Sequence, residues 1–209
     1  MDPNHWHELW EANELGFHEV NGNRLLQHTL DKLKLADNAR ILVPLCGKAE
    51  DLAWLASRGY VVIGVELSEI AARDFYSEHA IVPTVTRHET LIRYSGGGID
   101  ILVGDFLDVD RQTVGPIAGV YDRAALVALP SDMRTAYAAH LVDITDCAPQ
   151  LLITFEYDQE QMAGPPFSIS EAEVDRLYGH HYTAEKLEER HVVGGLKGVP
   201  AAEVAWLLH

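Results

Sequence analysis

The chain has 209 residues, 47% hydrophobic and 23% charged, the mix of an ordinary folded domain rather than of a disordered or fibrous chain. Against 32 Asp plus Glu stand only 16 Lys plus Arg, a formal charge of −16, which opposes the phosphate neutralisation that nucleic acids and anionic membranes require of a partner. The apolar stretches are too short to span a bilayer, so the expectation is a cytoplasmic protein that binds neither nucleic acid nor membrane.

The N-terminus Met1-Asp2-Pro3-Asn4-His5 has no basic or apolar targeting region. Two cysteines, Cys46 and Cys147, build no disulfide framework and no four-cysteine metal site, although counting leaves a single bridge open. Residues 1–35 contain Trp6, Trp10 and Phe17 and then a helix through 25–33, too apolar for a tail, and are expected to fold over a sheet. The run 41–43 reads as a buried strand, and Leu52, Leu55 and Ala56 give 49–58 a helical spacing that stops at Gly59, a left-handed cap. A second strand follows over 61–65. Ser68 offers a hydroxyl to cap the next helix, whose stripe is Ala71, Ala72, Phe75 and Tyr76. Strands at 99–103 and 117–121 come next, with Gly96-Gly97-Gly98 as a loop tip.

A helix over 132–146 carries Met133, Tyr137, Leu141 and Ile144 on one side and leads into a strand at 151–155. Beyond residue 156 come a Gly-Pro-Pro loop, a helix at 170–178 and two apolar runs, 191–194 and 203–208, which form an antiparallel edge. The alternation predicts an α/β fold, a doubly wound parallel sheet in one domain spanning 1–209. There is no internal repeat and no linker.

In such a sheet, ligands bind beyond the carboxyl ends of the strands. The first strand runs into Pro44-Leu45-Cys46-Gly47-Lys48, where Gly47 lets backbone approach a ligand. It is neither a dinucleotide fingerprint nor a Walker loop. The second ends in Glu66, about 20 residues on, where nucleoside-binding folds hold ribose hydroxyls with an acid. The third ends in Gly104-Asp105-Phe106 and the fourth in Tyr121-Asp122-Arg123. Each has a plainer reading: Glu66 as a solvated acid before a helix, Asp105 as a turn residue, Asp122 with Arg123 as a structural ion pair. Four polar strand ends in one series favour a nucleoside cofactor. Cys46 reads as a small packing residue rather than a nucleophile. The 11 histidines show no metal-ligand spacing.

Several blocks resemble the thiopurine S-methyltransferase family in its bacterial form. They are Trp6-His7-Glu8-Leu9-Trp10 with Gly16-Phe17-His18, the Pro44–Lys48 loop, Trp54-Leu55-Ala56, Gly64-Val65-Glu66-Leu67-Ser68, the run 121–130, residues 151–157 and Gly164-Pro165-Pro166-Phe167-Ser168. The resemblance covers nearly the whole chain and weakens after about residue 180, where family motifs thin out. It implies a class I, Rossmann-like methyltransferase using S-adenosylmethionine, with a mostly parallel seven-stranded sheet, an antiparallel C-terminal hairpin and helices on both faces. Carried over by motif, Trp10, Leu45, Gly47, Glu66 and Arg123 match cofactor contacts, and Asp105 and Phe106 flank the adenine. Phe17 matches an acceptor-pocket aromatic, with Pro165 and Phe167 in the wall and residues 1–35 as a cover.

The implied acceptor is a small-molecule thiol, or another soft nucleophile such as halide, sulfide, or selenium and tellurium species. Attack of a thiolate on a sulfonium methyl cancels both charges, so positioning and desolvation suffice. In that scheme Arg123 favours the thiolate and Asp122 orients Arg123, with no metal and a monomeric protein. A non-catalytic S-adenosylmethionine-binding module is the other reading. A nicotinamide oxidoreductase is disfavoured by the missing glycine fingerprint.

Overall fold

In the computed structural model of the chain, which describes Trp10, Glu19 and residues 21–88 and 90–209, the apolar runs become strands and the periodic segments between them become helices. In chain order these are α1 (Arg24–Thr29), β1 (Arg40–Val43), α2 (Glu50–Ser57), β2 (Val61–Glu66), α3 (Glu69–Glu78), β3 (Thr84–Arg87), β4 (Ile92–Gly96) and β5 (Ile99–Val103). Then follow α4 (Arg111–Val114), β6 (Gly119–Arg123), α5 (Ser131–Thr145), β7 (Gln150–Tyr157), α6 (Glu171–Tyr178), β8 (Ala184–His191) and β9 (Ala201–Leu208). By contact the chain divides into two compact units, Met1–Asn23 with Ala36–Ala118, and Arg24–Leu35 with Gly119–His209.

In the first unit the strand order is β3-β4-β5-β2-β1. β1, β2 and β5 run parallel, because helical crossovers return the chain to the same end, whereas β3 and β4 are antiparallel. Ile41, Leu42, Val62, Ile63 and Ile101 are fully buried beneath Leu52 and Leu55 of α2 and Phe75 of α3, each such side chain contributing about 1.5–3 kcal/mol. The Tyr76 hydroxyl donates to the carbonyls of Tyr94, at 2.9 Å, and Ile99, at 2.7 Å, which ties α3 to β4 and β5. Ser68 stands at the N-cap of α3, but its hydroxyl makes no capping bond. The side chain is buried and its Oγ has no partner among the described residues.

In the second unit the order is β6-β7-β9-β8, with β6 and β7 parallel and the other two pairings antiparallel. α1 passes through a 3-10 turn (Leu30–Leu33) and packs on β7, β8 and β9 with Leu25 and Leu26 fully buried. All eight residues of β9 are buried, and the Trp206 indole donates to Thr154 Oγ1 of β7 at 3.0 Å.

The parallel strands and the C-terminal antiparallel hairpin agree with the sequence reading, but the strands number nine among the described residues, not seven. The two extra are β3 and β4. β3 is exposed along its length and β4 alternates too weakly to announce itself. The C-terminal hairpin also sits differently: the run 191–194 lies where the chain leaves β8 and turns, and β8 itself is the polar stretch Ala184–His191. An edge strand draws its order from pairing with β9 rather than from apolar side chains of its own. β6 reaches two residues beyond the predicted run, so Asp122 and Arg123 are its buried last residues. On α5, Tyr137, Leu141 and Ile144 are buried as the spacing predicts, but the first buried member of the stripe is Arg134, not Met133. No described helix is long and apolar enough to cross a membrane.

Candidate functional site

The first unit gathers five of the singled-out residues, Leu45, Gly47, Glu66, Asp105 and Phe106, at the carboxyl ends of β1, β2 and β5. Past β1 the chain turns through left-handed conformations at Leu45 (φ 47°) and Gly47 (φ 54°). For leucine this conformation is costly and concentrates where function constrains a loop. The Gly47 N–H donates to Glu66 Oε2 at 2.8 Å and the Ser68 N–H to Glu66 Oε1 at 2.8 Å, so one carboxylate ties the loop after β1 to the loop after β2. Burial pushes the Glu66 carboxyl up from its ordinary range, and the N–H donors of Ser68 and Gly47 pull it back. The Gly104 N–H donates to the Glu66 carbonyl at 2.9 Å, which brings the end of β5 alongside. A Cβ on Gly47 would lie 3.3 Å from the ring of Trp10, so the indole rests on that glycine.

Asp105 is exposed and its Oδ1 accepts from the Leu107 N–H at 2.9 Å, capping the 3-10 turn Phe106–Asp108. Phe106 is buried. Cys46 is buried against Gly64, where an added Cβ would come 2.7 Å from the sulfur. Burial and the Glu66 charge hold its thiol well above the ordinary range, which suits packing and not nucleophilic attack. Lys48 bonds Glu78 Oε1 at 2.6 Å and sits 3.7 Å from Asp74, so its charge is committed to α3.

The second unit holds the end of β6. Asp122 is fully buried; its Oδ2 accepts from the Tyr137 hydroxyl at 2.7 Å and its Oδ1 from the Leu126 N–H at 3.2 Å. Burial raises this carboxyl to about 6, with the Tyr137 bond opposing. Arg123 follows it, also buried, and Ala124 then adopts φ 64°. Since neighbouring strand residues project to opposite faces, Asp122 fixes the chain that carries Arg123 and its own bonds run to Tyr137 and Leu126. The Gly-Pro-Pro-Phe loop is anchored nearby in the same unit: the Phe167 N–H donates to the Val127 carbonyl at 2.6 Å, the Tyr157 hydroxyl to the Pro166 carbonyl at 2.6 Å, and Lys197 Nζ to the Pro165 carbonyl at 3.1 Å. Trp6 and Phe17 lie outside the described residues. Two residues that the sequence did not single out as site residues, Tyr137 and Arg134, hold these segments. The available signal was an arginine in the i, i+3, i+7 stripe of α5, where an apolar residue belongs.

The family model of thiopurine S-methyltransferase matches residues 1–207. The chain belongs to the thiopurine S-methyltransferase family. It is 48% identical to a thiopurine S-methyltransferase of Xanthobacter autotrophicus over 100% of this chain and 99% of that one. A Gluconobacter oxydans relative of the same name is 46% identical over 96% of this chain and 92% of its own. Among solved structures, an S-adenosylmethionine-dependent methyltransferase of Anabaena variabilis superposes with TM-score 0.67 at 14% identity, covering 99% and 94% of the two chains. A 1,6-didemethyltoxoflavin-N1-methyltransferase of Burkholderia thailandensis gives TM-score 0.67 at 15% identity, covering 99% and 86%. At these identities the likeness is one of fold.

Membership makes the chain an S-adenosylmethionine-dependent S-methyltransferase acting on a small molecule. The residues of the first unit fit that cofactor. Glu66 presents a buried carboxylate at the end of β2 with acceptor capacity beyond its bonds from Gly47 and Ser68, and the bare backbone of Gly47 lets the Trp10 indole lie against the loop after β1.

Proposed function

We propose that the enzyme methylates the sulfur of aromatic and heterocyclic thiols, thiopurines among them, in a detoxifying role in the cytoplasm, as a monomer. The observation that supports the cofactor half of this reading is the Glu66 carboxylate held by the N–H groups of Gly47 and Ser68. In that reading Glu66 accepts from the ribose hydroxyls, Trp10, Leu45 and Gly47 bound the amino-acid end, and Asp105 and Phe106 flank the adenine. The N-terminal segment that carries Trp10 and Phe17 serves as the cover.

S-adenosylmethionine would supply a sulfonium methyl: a bond from the acceptor thiolate to that methyl carbon would form as the sulfonium–methyl bond broke in line, with S-adenosylhomocysteine as the neutral leaving group and both charges lost. The protein's own part is to hold the acceptor sulfur ionised, aligned and away from water. Arg123 at the end of β6 favours the thiolate by its positive charge, and Asp122 sets the strand end from which Arg123 projects. Phe17, Pro165 and Phe167 line the aromatic acceptor. An acceptor thiol acidic enough to ionise at neutral pH needs little acid or base chemistry beyond that positioning.

The deciding experiment is transfer of labelled methyl from S-adenosylmethionine to 6-mercaptopurine by the purified protein, with selenite and iodide as parallel acceptors. Methylated 6-mercaptopurine formed faster than either parallel product supports the reading. Preferential methylation of selenium or halide replaces the acceptor, and cofactor binding without any transfer leaves a binding module.

A further inference from the structure

Arg134 projects from the first turn of α5 into the interior, where a guanidinium must be fully occupied to be tolerated. Its Nε donates to the Leu129 carbonyl at 2.9 Å, on the segment that follows β6, and its Nη1 lies 3.4 Å from Glu173 Oε1 of α6. The same group stands 5.3 Å from the ring centre of Phe167, over its face. Gly164 meets the ring from elsewhere: a Cβ at that glycine would lie 2.6 Å from Phe167 Cδ1, and its φ of 79° already favours glycine. The backbone of Phe167 is fixed as well, through its N–H on the Val127 carbonyl.

Phe167 is therefore held at three points, by a hydrogen bond at its nitrogen, by bare backbone at Gly164 and by a cation over its face. Two of the three come from the segment after β6 or depend on it. Replacing a buried ion pair as a whole by apolar residues is often neutral or stabilising, whereas taking away Arg134 alone leaves the Leu129 carbonyl without its Nε donor. The fork geometry here does something an apolar residue cannot: it joins the segment after β6, the start of α6 and the Phe167 ring through one planar group.

We propose that Arg134 is a positioning residue for acceptor selection, setting the angle at which Phe167 meets the flat ring of an aromatic thiol. This rests on the reading of Phe167 as acceptor-pocket wall. Three variants separate the two ideas: Arg134→Met, Phe167→Leu and the double variant, each assayed with 6-mercaptopurine at saturating S-adenosylmethionine. Arg134→Met is expected to raise KM for 6-mercaptopurine about tenfold, the scale of one desolvated cation–π contact, with kcat and cofactor affinity changed less than about twofold. In the double variant KM rises no further than in Phe167→Leu alone, since both lesions act through one ring.

An unchanged KM in Phe167→Leu removes the wall reading and the proposal with it. A raised KM in Phe167→Leu but not in Arg134→Met overturns the proposal alone, as do additive effects. Parallel loss of kcat, cofactor affinity and melting temperature in Arg134→Met marks the residue as structural and also overturns it. Should Arg134→Met fail to fold, Arg134→Lys, which keeps the charge without the planar fork, is read by the same split, with an intermediate rise in KM expected and an unchanged KM counting against the proposal.

Discussion

The Tyr137 hydroxyl donates to Asp122 Oδ2 over 2.7 Å, and both side chains are buried, the carboxyl completely. A carboxyl so enclosed gives up its proton late: burial raises it from 3.8 to about 6, and the bonds from Tyr137 and Leu126 limit the rise. In the unfolded chain the same group ionises at its ordinary value. Between the two values the folded protein keeps a proton that the unfolded chain has lost, so stability falls as pH rises from about 4 to about 6 and levels off above. A shift of this size corresponds to about 3 kcal/mol. Asp122→Asn abolishes the ionisation. The stability difference between the natural protein and Asp122→Asn, from urea unfolding at pH 4 and pH 7, is expected to shift against the natural protein by up to that amount. A pH-independent difference rejects the assignment.

Glu66 carries a sharper consequence for binding. Glu66→Gln replaces one acceptor oxygen by an N–H₂ that must face the N–H of Gly47 or Ser68, both now at 2.8 Å. In the reading in which Glu66 also accepts from the ribose hydroxyls, a neutral amide in its place loses a hydrogen bond to a charged group, worth about 1.5–3 kcal/mol, so the dissociation constant for S-adenosylmethionine rises about tenfold or more, measured by titration calorimetry. The KM for 6-mercaptopurine at saturating cofactor stays the same. Unaltered cofactor affinity would take Glu66 out of the binding set.

Gly64 is a test of packing beside the loop. Its missing Cβ would stand 2.7 Å from Cys46 Sγ but an ordinary 3.5 Å from Cys46 Cβ and from Ile101. Gly64→Ala is expected to cost about 1–3 kcal/mol, the range for an overpacked core. Removing the sulfur with Cys46→Ala in the same chain should recover most of that loss, because only the sulfur is too close. Chemical denaturation of the two single variants and the double closes the cycle; additive losses would place the strain elsewhere.

How much of this was legible in the sequence follows from where each feature draws its order. The runs that became β1, β2, β5 and β7 are apolar because both faces are covered, and such runs are visible without any partner. Glu66 was legible by its spacing from the glycine loop. β3, β4 and β8 were not, since their order comes from ladder bonds to a neighbour that the local composition does not encode. Asp122 was legible as an acid at a strand end, but its partner Tyr137 lies 15 residues on and read as one more member of an apolar stripe. Arg134 was hidden for the same reason at longer range, its contacts lying at Leu129, Phe167 and Glu173.

The polar outer strand of the second unit has a bearing on how molecules of this protein meet one another. β8 ends the order β6-β7-β9-β8, so among the described residues no strand pairs with its outer side. Along it stand Glu185, Lys186, Glu188, Glu189 and Arg190, and its register with β9 shifts between Lys186 and Glu188. A second chain laid against this margin in register would meet charges and a kinked hydrogen-bond row where fibril growth needs a flat, dry template. The same residues that hid the strand from a hydropathy reading thus protect a crowded solution of the enzyme from strand-to-strand aggregation along that margin.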